Sequence, residues 1–441
     1  MRTTNELESE FTGFGQRKVL RFLIVRYVII GLHLFGEYTV RQLMALAGRG
    51  HQIVYITART RRSCMKIRHV RGFRLDPVLL RKVVPILSLI FFELVVCWRI
   101  LKSIRRYDVL IVDIYSVPLI FPYVLFYRLW NRYPALFLRV ESNPVETGGH
   151  LRTLGVSFLY ALSIKIASAF FDGAFFISPM LGQQYSDQFG IPASKVGTWP
   201  SSVDMPVFDP KRVKHVDRLR EELGLSEHLA VLYHGVLTKG RGTLEILEAF
   251  RILRDESVKA TLVLLGYGDK MKEQVYRYIT SNDLGKVVRL CGPVDYDQVP
   301  KYIAACDVGI NSIPDRPWWR YQCFIKVLEC LAMNKPLIVS DIPAHRWMIG
   351  NAPVAVYLRG TSPREIADGV IAFLRIRESL VPGIGRQLAS GFSAERVAED
   401  LESQMMSMIA KSVSPSSPAV SRSKSPPSCH ASFLGRVTIE E

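Results

Sequence analysis

The segment FIKVLECLAMNKPLIVSD, residues 324–341, sets Lys326 and Glu329 three residues apart in an otherwise apolar run of helical length. Residues at that spacing share one helix face, so a plain salt bridge is the simplest reading. Yet Val327, Leu328, Cys330, Leu331 and Ala332 flank Glu329. A carboxylate in apolar surroundings is costly unless it is paired or bonded to a ligand. It accepts two hydroxyl hydrogen bonds well, as from a ribose diol. The amino end of the same helix suits a diphosphate. A second cluster, YHGVLTKGRG, ends a strand at Gly235 and then places Lys239 and Arg241 beside Gly240 and Gly242, ahead of TLEILEAF. Cations at a helix entry, where unpaired N–H groups also point, suit phosphate. A solvated basic loop is the alternative. Third, LLGYGDK puts Gly266 and Gly268 directly after a strand. Such glycines let a ligand approach the backbone, although an ordinary strand-to-helix turn holds them as well.

These residues need a scaffold, and the chain supplies two of the same kind. VLRFLIVRYV reads as a buried strand, then a glycine-bearing loop, a helix carrying Val40, Leu43, Met44 and Ala47, the stop GRGH, and the strand QIVYIT. This is a βαβ unit opening a doubly wound sheet. Further strands follow at YDVLIVD, ALFLRVES and GAFFIS. Pro200, Pro206 and Pro210 mark residues 195–210 as a linker. A second α/β pattern starts at LAVLYHGVL and runs through ATLVLLGYG, VVRLCGPV, VGINSI, PLIVSD and VAVYL. The expected division is a flexible start at 1–19, a first domain at 20–200, a second at 201–392, a helix at 393–410 and a disordered Ser/Pro-rich tail at 411–441. Ligands of such sheets bind in the cleft at the carboxyl ends of the strands.

Charge narrows the partners. The 441 residues carry a net charge of +17, and residues 1–110 hold 20 Lys and Arg against 7 Asp and Glu. Most of that excess lies in residues 58–82, where Asp76 is the one acid. No helix-turn-helix, zinc-finger or RNP-like pattern accompanies it, so no nucleic acid is expected. An apolar stretch, VVPILSLIFFELVVCWRILKSIRR, follows at 83–106. Basic followed by apolar suggests contact with an anionic membrane surface. A core helix beside a solvated loop is the other reading, and both stay open. Neither this stretch, broken by Glu93, nor 114–127, with Pro118 and Pro122, reaches the about 20 apolar residues of a spanning helix. The polar first twenty residues show no signal peptide. Seven scattered cysteines without a CxxC pair suit a reducing compartment, and argue against disulfides and zinc. A cytoplasmic protein, peripheral at the membrane face in the basic-apolar reading, is expected.

Taken in order, the motifs of roughly residues 20–405 resemble the retaining GT-B glycosyltransferases of the GT4 type, the glycosyl transferases group 1. IIGLHLFGEYTVRQLMALAGRGHQIVYIT matches the first loop-helix element. PSSVDMPVFDP matches the hinge in Val203, Asp204, Phe208 and Pro210, with Ser202 in place of a glycine. HGVLTKGRG resembles the phosphate segment, and KVLECLAMNKPLIVSD the donor-binding helix. The resemblance implies two Rossmann-like domains facing a cleft and a nucleoside-diphosphate sugar held by the second. Glu329 would bond the ribose hydroxyls, and Arg241 and Lys239 the diphosphate, with Gly235, Gly266, Gly268 and Lys326 around them. The sugar would pass with retention to an acceptor hydroxyl of a glycan or lipid-linked molecule. No cofactor or metal is implied, and no Asp-x-Asp motif stands in a suitable loop.

The chain also departs from that pattern. Many members carry two glutamates on the donor helix, and here Tyr321 stands at the first position. The acceptor side lacks the His often found there; Glu141, Asn143 and His33 are the candidates for it. A nucleotide-sugar epimerase of the same architecture, and a non-catalytic binding protein on this scaffold, remain as alternatives.

Overall fold

The computed structural model describes residues 19–29, 37–59, 70–80, 85–129, 134–144, 150–225, 228–266, 271–381 and 383–413. The first sheet holds seven parallel strands in the order β3-β2-β1-β4-β5-β6-β7. They are β1 (Arg21–Ile29), β2 (Gln52–Arg59), β3 (Phe73–Leu79), β4 (Val109–Asp113), β5 (Ala135–Val140), β6 (Gly173–Phe176) and β7 (Val196–Thr198). Alternate residues of β1 face opposite cores. Phe22 and Ile24 pack with α1 (Glu37–Gly48), and Leu23 and Val25 pack with the opposite helices. Those helices are α2 (Pro85–Ser103), α3 (Val117–Leu129), α4 (His150–Phe170) and α5 (Pro179–Phe189).

Two strands differ from the expectation. FRLDPVL, inside the basic block, forms β3, and the linker start VGT forms β7. Pro77 is tolerated because β3 is the sheet edge, where one side of the strand needs no ladder partner. Residues 114–127 are mostly helical despite their prolines. Pro118 sits in the first turn of α3, where its missing N–H costs nothing, and Pro122 lies inside the helix.

The second sheet holds six parallel strands in the order β10-β9-β8-β11-β12-β13. They are β8 (Leu229–His234), β9 (Ala260–Leu265), β10 (Val288–Cys291), β11 (Val308–Asn311), β12 (Leu337–Ser340) and β13 (Ala355–Leu358). Between β7 and β8 lies α6 (Val216–Glu222). The helices that follow are α7 (Thr243–Asp255), α8 (Lys272–Ser281), α9 (Val299–Ala305), α10 (Ile325–Ala332), α11 (Pro343–Ile349), α12 (Pro363–Ile376) and α13 (Ile384–Ser390). Both sheets place interleaved helices on each face, which makes the fold GT-B: two Rossmann-like, doubly wound domains.

The last helix, α14 (Ala394–Val413), returns to the first domain. Val397, Leu401 and Met405 join the core of α1, and Gln404 accepts from Thr198 N at 2.8 Å. Arg49 and His51 pair with its Glu402. The chain thus crosses between domains twice, near Val203 and near Ser393, and these two residues pair with each other.

Candidate functional site

Four strands of the second sheet end in polar groups or glycine at one edge. β8 ends at His234, β11 at Asn311 and β12 at Ser340, while β9 leads into Gly266. Gly235 has φ 111° and Gly266 φ 135°, both unfavourable for side chains. A Cβ at Gly266 would overlap the Gly235 carbonyl, so the two turns touch backbone to backbone. Gly268 and His33 lie outside the described residues.

Glu329 sits on α10, and its sequence neighbours fill the core on either side of it. It does not pair with Lys326. Its Oε2 accepts from His234 Nε2 at 2.8 Å, with both side chains buried. Its Oε1 makes no hydrogen bond among the described residues. Lys326 instead places its ammonium 3.9 Å from the centroid of the Tyr233 ring. The Nζ atom is buried without a hydrogen-bond partner, facing the Gly235 turn. Burial, with the charge of Arg241 added, pushes its pKa well below the usual lysine range.

Arg241 closes the short 3-10 turn Lys239–Arg241 directly before α7. Its guanidinium lies 5.1 Å from the Trp319 ring, and Trp319 Nε1 donates to Gly240 O at 3.1 Å. No side chain caps the α7 amino end at Gly242, so its amides face the same region as two cations. Lys239 is exposed, whereas Arg241 is half-buried. Behind Lys326, His345 is neutral. Burial lowers its pKa to about 4; Nδ1 donates to Ser340 O at 2.7 Å and Nε2 accepts from Asn311 Nδ2 at 2.9 Å. Ser312 Oγ and Asn311 Oδ1 are buried and unpartnered.

The first domain answers with a different cluster. Glu141, just beyond β5, is ion-paired to Arg26 and, at 2.9 Å, to Arg139, and accepts from Tyr38 at 3.2 Å. Burial opposes its charge, and the two guanidinium groups outweigh that and hold its pKa below the usual range. Asn143 donates to Pro317 O at 2.9 Å, and Gln322 donates to Glu141 O at 2.9 Å. The loop 314–323 is thereby tied to the first domain, and Tyr321 lies within it. The structure thus gathers Gly235, Arg241, Gly266, Lys326 and Glu329 in the second domain, and Glu141 and Asn143 across from them.

Sequence reasoning passed over His234, Trp319, Asn311 and His345. It also passed over Arg26 and Arg139, although a lone cation inside a buried strand was a readable signal. Among the described residues no cluster of three or more His, Cys, Asp or Glu is placed to hold a metal.

Comparison with known proteins agrees with this geometry. Residues 228–375 match the family model described as Glycosyl transferases group 1. The chain is 25% identical over 241 residues to spore coat protein SA of Bacillus subtilis, covering 51% of this chain and 62% of that one. It is 23% identical over 186 residues to alpha-D-kanosaminyltransferase of Streptomyces kanamyceticus, covering 42% and 47%. The chain therefore spans about half to three-fifths of these relatives. Among solved structures, HepE of Anabaena in complex with UDP and glucose superposes with TM-score 0.65 at 13% identity, over 88% of this chain and 99% of that one. Sucrose-phosphate synthase from Thermosynechococcus elongatus gives 0.68 at 16%, over 89% and 100%. The chain thus has a GT-B fold, and residues 228–375 of its second domain match the glycosyl transferases group 1 model.

Proposed function

We propose that this protein transfers a sugar from a nucleoside-diphosphate sugar to an acceptor hydroxyl, with retention of configuration. The observation that carries it is Lys326. A buried ammonium with no hydrogen-bond partner is costly, and it stands among Arg241, the α7 amides and a carboxylate whose Oε1 has no partner among the described residues. A diphosphate satisfies the cations, and ribose hydroxyls satisfy Glu329 Oε1. His234 orients Glu329 and fixes which oxygen faces the ligand. Gly235 leaves backbone free of Cβ beside the Lys326 ammonium, and Gly266 lets its turn pack against that backbone.

In the reaction the bond from the anomeric carbon to the diphosphate breaks toward an oxocarbenium-like state. Lys326 and Arg241 take up the charge growing on the leaving diphosphate, preorganised before the step. This reading needs no metal, because the cations supply that stabilisation. The hydroxyl of the acceptor, a glycan or a lipid-linked molecule, attacks on the face the diphosphate leaves and passes its proton to a diphosphate oxygen, while Glu141 and Asn143 shape the cleft on the first-domain side.

A second reading is kept because Tyr321 replaces a residue of the family's pattern: a binding protein that holds the donor without turnover. A thermal-shift panel of nucleoside diphosphates and their sugars, on wild type and Glu329→Ala, tests the site, since a ligand of the folded state raises Tm. The expected result is stabilisation by one donor, lost in the variant. Product analysis with that donor then separates a new glycoside from an epimerised sugar and from no turnover. Absence of stabilisation by every donor in a well-folded sample sinks the proposal.

A further inference from the structure

The large apolar side chains left exposed are unevenly distributed. On α2, Ile90, Phe91, Leu94 and Trp98 are about half exposed, at helical spacing, while Phe92, Val96 and Ile100 face the sheet. On α4, Leu154, Phe158 and Leu162 form a second stripe, with Phe158 at 70% exposure. Between them, α3 adds Leu119 and Leu125. The three helices lie side by side on one face of the first sheet. The next helix on that face, α5, ends the patch with exposed Gln183 and Asp187. Scattered exposed apolar residues need no explanation, but stripes on two helices, with more such residues on the helix between them, do.

The charge on this face is one-signed. Across α2, α3 and α4, Glu93 is the one acidic residue, and it is 2% exposed. Lys102, and Arg105 and Arg106 just past the end of α2, are exposed, as is Lys165 near the end of α4. Lys102 Nζ stands 4.2 Å from the Trp98 ring centroid, so a cation and an amphipathic aromatic mark the rim of the stripe. No helix among the described residues is long and apolar enough to cross a membrane.

We propose that the outer face of α2, α3 and α4 docks on an anionic lipid bilayer. Its apolar side chains enter the headgroup boundary and its cations meet lipid phosphates. A second copy of the chain fits poorly, because a two-fold interface would set the cationic rim against itself. The exposed cations described on this face, Lys102, Arg105, Arg106 and Lys165, lie toward the carboxyl ends of α2 and α4, near the starts of β4 and β6 and away from the cleft at the other end of the strands. The inference deepens the reading above and rests on it in one respect: a glycosyltransferase docked this way takes its acceptor hydroxyl from a lipid-linked molecule.

The test is co-sedimentation of the full chain with vesicles of phosphatidylcholine alone, or with phosphatidylglycerol added, at low and high salt. Wild type is expected to sediment with the anionic vesicles and to be released by salt. Leu94→Gln with Phe158→Gln, both exposed positions outside the cleft, should lower the bound-to-free ratio by about tenfold or more. Lys102→Glu with Arg105→Glu should lower it as well. Both variants must keep the wild-type Tm and its shift with whichever donor stabilises wild type. Failure to sediment, or sedimentation that ignores the apolar substitutions, overturns the proposal. So does a concentration-dependent dimer that the same substitutions dissolve. A donor shift without vesicle binding leaves the glycosyltransferase reading standing; vesicle binding without a donor shift does the reverse.

Discussion

Each domain buries charge at the mouth of the cleft, and the two do so differently. In the first, Arg26 and Arg139 are both ion-paired to Glu141, which also accepts from Tyr38, although the buried Arg139 nitrogens make no hydrogen bond and the group lies over Trp199. In the second, Lys326 has an aromatic face beneath it and no acceptor, while the nearby Glu329 is turned to His234. A buried charge with an opposite charge beside it holds a structure together; one without waits for a ligand. The same kind of strand end therefore serves architecture in one domain and binding in the other.

The largest expected effect strikes the ion-paired set. Arg26→Met removes one of the two guanidinium partners of the half-buried Glu141 and leaves Arg139 at 2.9 Å, so the loss should approach but not exceed the about 3–5 kcal/mol of a buried pair broken outright. Chemical denaturation should show that loss. Lys326→Met should do the opposite to the fold. Removing an unpartnered buried charge keeps or raises stability, while turnover falls by about 10²–10³-fold, as when one preorganised charge-stabilising group is deleted. If both variants unfold the protein alike, or both leave it intact, the contrast between the domains is wrong.

A pH measurement sharpens it. Lys326 has a folded pKa well below its ordinary 10.5. The unfolded chain then binds more protons there, so stability rises with pH from the lowered folded pKa up to about 10.5, by at most about 1.4 kcal/mol per unit. Lys326→Met should remove that slope. A bound diphosphate raises the Lys326 pKa again, so donor binding should take up protons wherever the pH lies above the lowered value. Titration calorimetry in two buffers of different ionisation enthalpy reads that uptake, which should vanish in the variant.

How much of this the sequence showed follows from what each feature needs. Buried parallel strands are continuous apolar runs, so LAVLYH, ATLVLL and LIVS were legible. The edge strand FRLDPVL is half-exposed and carries a proline, and the helix 117–129 carries two, so local rules argued against both. Glu329 stood out because a carboxylate among core residues demands a partner. Its partner did not, because His234 lies 95 residues away and only the fold brings them together. Lys326 and Glu329 share a helix face, and the expected bridge lost to a buried imidazole on one side and an aromatic ring on the other.

The smallest expected effect concerns the loop 314–323, which joins the two regions. Gln322 donates one hydrogen bond to Glu141 O, and Asn143 donates another to Pro317 O. A neutral hydrogen bond contributes about 0.5–1.5 kcal/mol net. Gln322→Ala should therefore lower stability by that amount or less, since water can reach a half-buried carbonyl. The donor shift should persist, because no contact to Lys326, Arg241 or Glu329 is lost. If Gln322→Ala abolishes the shift as fully as Glu329→Ala does, the loop belongs to the donor site. The division between a charge-paired first domain and a ligand-awaiting second one then fails at its boundary.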